Sequence, residues 1–85
     1  MKQQIVKDEA YTLSMSKPGT VVKVLSIMGG RMLRQRLLNL GIVPGVNLKC
    51  IRGGGGYPMV LEVQNSRVVL GAGMSVHVFV RVINE

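Results

Sequence analysis

Only one stretch of this chain, residues 31–40, is both long enough and periodic enough to be a helix, and that scarcity decides the architecture. Leu33, Leu37 and Leu40 stand at i, i+4 and i+7 and so share one helical face. Gly41 follows as a residue that enters the left-handed region without a Cβ penalty. Pro44 then keeps the helix from resuming. Every other apolar segment is short and rich in Val, Leu and Ile: residues 20–28, 46–52, 58–64, 67–70 and 76–83. β-branched residues in such runs favour strands. Parallel strands need a crossover of roughly a dozen residues or more each, and only one helix is available. The expected fold is therefore mostly β, a bent antiparallel sheet closing into a small barrel, with one α-helix inserted after the first strand.

The links support this order. Lys17-Pro18-Gly19 is a turn signal, and Gly29-Gly30 ends the first strand. Val46, Leu48 and Cys50 fall on one side of the second strand, and Gly53 to Gly56 reads as a flexible tip. Asn65-Ser66 reads as the tight turn of a hairpin, and residues 71–75 as a short irregular or 3₁₀ link. Val76, Val78, Val80 and Val82 alternate strictly in the last strand. The 85 residues make one domain, expected over residues 12–85, with residues 1–11 as a flexible N-terminal lead-in.

The residues supply no catalytic constellation, and no enzyme activity is expected. The acids are Asp8, Glu9, Glu62 and Glu85, three of them near the ends. A nucleophilic pair of Cys50 and His77 is formally conceivable, but Cys50 falls with the core-facing residues of its strand. The four glycines at 53–56 are followed by Tyr57-Pro58 and a strand, where a phosphate-binding loop needs Lys-Ser/Thr opening a helix. One cysteine allows neither an internal disulfide nor a thiolate zinc site. Cys50, Glu62 and His77 are the available ligand types in the folded part, and no two have close ligand spacing. That leaves open only a weak metal site or one shared between two molecules, and no cofactor is expected. Neither an export signal nor an apolar run of bilayer length is visible, so the expected location is cytoplasmic.

The net charge of +7 is the unusual bulk property. It suits nucleic acid, anionic lipid or an acidic protein face and selects none of them. The basic residues are dispersed except for Arg31, Arg34 and Arg36. At about 100° per residue, Leu33, Leu37 and Leu40 fall within an arc of about 60° facing the barrel. Arg31, Arg34 and Leu38 lie on a different arc, which makes them the candidate partner-binding residues. The alternative for Leu38 is that it tucks under the loop near Pro44.

Leu13, Pro18-Gly19, the Val-rich strand, Gly29-Gly30 and Arg36-Leu37-Leu38-Asn39-Leu40-Gly41-Ile42-Val43-Pro44-Gly45 together form a pattern that resembles the FeoA family of bacterial ferrous-iron uptake systems. The resemblance extends over residues 12–83, with Pro58 and Val68-Val69-Leu70 in agreement. It implies an SH3-like barrel and an accessory role beside FeoB, a membrane permease with a cytoplasmic GTPase domain. It also implies transition-metal association through that system, and membrane contact only through the partner. The same fold serves as a C-terminal domain of metal-dependent repressors, and the stand-alone form is the one expected here. At residues 71–75 the family often carries charged residues, whereas this chain has Gly-Ala-Gly-Met-Ser, so no charge-mediated contact is expected there. Two other roles stay in view. A small basic SH3-like barrel suits RNA, although the aromatics for stacking on bases are only Tyr11, Tyr57 and Phe79, widely spaced. Homo-oligomerisation through the C-terminal strand at residues 76–82 is the other, if that strand stands at a sheet edge.

Overall fold

The computed structural model describes residues 10–84. Most of the expected lead-in lies outside the described residues. The chain runs β1 (Tyr11–Thr12), a 3₁₀ turn (Leu13–Met15), β2 (Val21–Ile27), α1 (Arg31–Asn39), β3 (Asn47–Gly54), β4 (Tyr57–Val63), β5 (Ser66–Leu70), α2 (Ala72–Ser75) and β6 (Val78–Asn84). All six strands form one antiparallel sheet in the order β1-β6-β2-β3-β4-β5. The sequence pattern shows five of them. The sixth, β1, is two residues long, too short for any periodicity, and exists because Tyr11 and Thr12 pair with Val80 and Phe79.

Period-two burial builds the core. Val22 and Val24 of β2, Leu48 and Cys50 of β3, Met59, Leu61 and Val63 of β4, and Val78 and Val80 of β6 all point inward. Alternation of this kind fixes register, since a one-residue slip would turn each set out to water. Irregularities in the β2–β6 and β3–β4 ladders let the long strands bend around that core. The Leu13–Met15 turn packs against β3, β6 and α2, with Leu13 fully buried.

Three connections differ from the sequence expectation. The β4–β5 turn is Gln64-Asn65, with φ of 51° and 70°, so Val63 pairs with Ser66. Two successive left-handed residues give the mirror-image turn whose twist suits a two-residue hairpin. Asn65 signals this turn, but Gln64 is a poor left-handed residue, which is why the pattern points one residue too late. Residues 72–75 close into one α-helical turn, and Val76 caps it at 44% exposure instead of opening the strand. Finally, β3 runs on through Gly53 and Gly54, leaving Gly55 and Gly56 as the tip. That tip is tied down, because the Gly55 N–H donates to the Ser14 carbonyl at 2.7 Å. Gly53, at φ 92°, lies against the Pro58 carbonyl and the Met59 backbone, where a Cβ has no room.

The last strand does not stand at an edge. β6 lies between β2 and β1, and the sheet ends on β1 and β5.

Candidate partner-binding surface

The helix forms over nine residues, and its C-terminus is more tightly fixed than its start. Gly30 precedes it in an extended conformation and offers no side chain to cap the first N–H groups. At the other end, Gly41 adopts φ 84°. The Gly41 N–H donates to the Leu38 carbonyl at 2.9 Å, and the Ile42 N–H donates to the Leu37 carbonyl at 2.9 Å. This is a Schellman ending, and its usual apolar contact is supplied by Leu37 and Ile42, both fully buried. Leu33 and Leu40 pack at the margin of the same core. The inward arc read from the sequence is therefore the one the structure buries.

After Ile42 the chain turns back to β2. The Gly45 N–H donates to the Val24 carbonyl at 2.8 Å, and the Val24 N–H donates to the Val46 carbonyl at 2.9 Å. Helix, loop and strand then enclose an open groove of about 320 Å³. Leu25, Ser26 and Ile27 form one wall, Arg34 and Leu38 the helical wall, and Ile42, Val43 and Pro44 the third. Leu38 is 53% exposed. The two readings of Leu38 thus merge: it is an exposed side chain, and it stands across a groove from Pro44. Arg34 donates from Nη2 to the Ile27 carbonyl at 3.2 Å, which holds the guanidinium at the rim. Arg31 is exposed on the first turn and does not line the groove. The structure therefore brings together two of the three candidate residues and adds Leu25, Val43 and Pro44, which helical periodicity could not reveal. Leu25 carried one signal, an apolar residue placed outward between Val24 and Ser26.

The electrostatics are one-sided. Residues 10–84 carry nine lysines and arginines and a single carboxylate, Glu62. Glu62 sits opposite Lys49 on one side and Arg67 on the other. Among the described residues, no acidic side chain lines the groove.

The other chemistry-bearing residues do not converge. Cys50 is fully buried in β3, with its thiol directed at the Ser16 carbonyl, Sγ to O 3.8 Å. Burial pushes its pKa up, which keeps it protonated and poorly nucleophilic. His77 is exposed in the turn between α2 and β6, away from β3 in the chain. Among the described residues no group of three His, Cys, Asp or Glu side chains is placed to hold a metal ion. The side chains present thus do not fit a resident metal: one ligand type is in the core, one lies between two cations, and one stands at the surface. Of the three aromatics only Tyr57, at 75%, is largely exposed; Tyr11 and Phe79 are half-buried in β1 and β6. Among the described residues, no helix is long and apolar enough to cross a membrane.

Residues 11–82 match the family model of the FeoA domain. The chain belongs to the FeoA family. Among solved structures, an iron uptake regulatory protein (FeoA) is 29% identical, with a TM-score of 0.83 over 88% of this chain and 100% of that one. FeoA from Stenotrophomonas maltophilia, a prokaryotic SH3 domain protein solved in complex with zinc, is 28% identical, with a TM-score of 0.71 over 81% and 87% of the two chains. A manganese-dependent transcriptional repressor is 16% identical, with a TM-score of 0.79 over 87% of this chain but 42% of its own, a likeness of fold alone. No curated protein sequence matches the chain. The mostly β, SH3-like fold of the family is the one observed here.

Proposed function

We propose that this chain is an accessory protein of bacterial ferrous iron uptake, which binds the cytoplasmic portion of a FeoB-type permease and modulates it by protein–protein contact. Family membership supports the setting. The observation that carries the binding role is the groove beside α1, where exposed Leu38 and rim-held Arg34 form an apolar and basic face on a fixed helix. Arginine is enriched at the centres of protein interfaces, and the apolar side chains beside it supply area to bury.

The test compares neighbouring leucines. Leu38→Glu removes a half-exposed side chain, about 1 kcal/mol of burial, and replaces it with an equally good helix former. Its circular dichroism should remain that of the folded domain, while binding to the purified cytoplasmic portion of the permease is lost in a pull-down. Leu37→Glu places a charge where exposure is 0% and should unfold the domain. Unfolding of both variants, or wild-type binding by Leu38→Glu, would refute the role given to Leu38.

A further inference from the structure

The groove also has a recognisable ligand chemistry. Small-molecule sites run from about 300 to 1,000 Å³ and enclose most of their ligand. This groove lies at the bottom of that range and is open along its length. Such a space seats one bulky side chain with its flanking backbone better than it encloses a metabolite. Its walls are aliphatic apart from Ser26 and the guanidinium of Arg34. Arg34 spends one of its five N–H donors on the Ile27 carbonyl, so its plane is oriented before any partner arrives. An oriented guanidinium at the rim of an apolar groove matches a carboxylate through paired N–H donors. A second copy of this chain is a poor occupant, because its described surface repeats the excess of nine basic residues over one acidic residue.

We propose that the groove takes a short acidic segment of the partner, with one bulky apolar side chain seated between Leu38 and Pro44 and a carboxylate one or two positions away paired with Arg34. This rests on the partner-binding reading above and specifies what the partner presents. At about 3.3 Å per residue in an extended segment, the neighbouring or next-but-one residue has the reach to meet the rim.

The experiment titrates ¹⁵N-labelled full chain with the pentapeptide acetyl-GLDEG-amide and with two relatives, GLNQG without the charges and GADEG without the anchor. Amide shifts are expected at Leu25, Ile27, Leu38 and Val43. Each relative should bind about fivefold more weakly or worse, the scale of one exposed ion pair or one partly buried side chain. Raising salt from about 0.1 to 1 M, which shortens the screening length from about 10 to 3 Å, should weaken GLDEG and leave GLNQG unchanged. Arg34→Gln should make GLDEG and GLNQG bind alike, and Arg34→Lys should restore part of the difference. The proposal is overturned if the charged and neutral peptides bind wild type equally, if the shifts map away from the groove, or if none occurs at millimolar peptide. It is equally overturned if sedimentation shows a self-association that Leu38→Glu abolishes, since the groove then holds a second copy. The same variants separate this idea from the reading beneath it. Permease binding by wild type that Arg34→Gln leaves undiminished defeats the acidic-segment proposal alone. Absence of permease binding by wild type defeats the proposed function, while the peptide titration still decides what the groove accepts.

Discussion

Replacing Gly41 by alanine tests whether the helix ending is what holds the groove together. Gly41 sits at φ 84°, and an added Cβ would meet Val63 Cγ1 at 3.3 Å. An L-residue in the left-handed region costs about 1–2 kcal/mol. The same substitution narrows the unfolded ensemble, which returns about 0.4–1 kcal/mol. The contact with Val63 is tight enough to require a shift of a few tenths of an ångström and adds to the loss. The expected net effect is a destabilisation of about 1 kcal/mol, or about 4–8 °C in Tm for a domain of this size. Gly73→Ala isolates the cause, because Gly73 lies inside α2 with open space around its Cβ position and no positive φ. There only the unfolded-state gain and better helix propensity operate, so stability should rise by about 0.5–1 kcal/mol. The gap between the two variants cancels the shared unfolded-state contribution and leaves the left-handed penalty together with the Val63 contact and the helix-propensity gain at Gly73. Urea unfolding followed by circular dichroism gives both numbers. If Gly41→Ala is as stable as Gly73→Ala, the Schellman ending is not the constraint described here.

Two further perturbations probe the core and the hairpin. The buried Cys50 thiol has a pKa above its ordinary value, so as pH rises the unfolded chain ionises first; the stabilising contribution is full below about pH 8.5 and declines above it. Stability measured across that window should fall less in Cys50→Ala than in wild type, and parallel profiles would show that the thiol is not the group responsible. Gln64→Asn puts a residue that tolerates positive φ at a position with φ 51° and should stabilise the β4–β5 hairpin by about 0.5 kcal/mol. A lower urea midpoint for that variant would mean that the Gln64 side chain makes a contribution of its own.

What could be read from residue types was the part of the fold governed by local periodicity. The strand alternations, the inward arc of α1 and the Gly41–Pro44 stop all report burial or backbone conformation one residue at a time, and each reappears in the structure except at Val76, which falls outside the last strand. What was not legible depends on distant partners. β1 is two residues that become a strand only because β6 lies beside them. The β4–β5 turn is displaced because cross-strand register, not Gln64 itself, decides which residues take positive φ. The helical arc placed Arg34 and Leu38 on one face, but a groove needs a second wall. Leu25 and Val43 come from segments whose approach is set by the hydrogen bonds of Val24 to Gly45 and Val46.

The sheet order has a practical consequence. β1 and β6 are neighbours, and Asn84 pairs with Val21 at the start of β2, whereas the groove lies at Leu25 to Ile27. Since β1 runs antiparallel to β6, both described ends point toward the Val21 side; Asn84 stands about 15 Å along β2 from the groove at a strand rise of about 3.3 Å per residue, whereas Tyr11, paired with Val80, is level with Val24 beside the groove wall. A tag, a fluorescent protein or a whole additional domain joined on the C-terminal side of β6 would start from that pole and leave the Leu38 face open. The fold can thus be tethered through its last strand without closing the surface that would meet a partner.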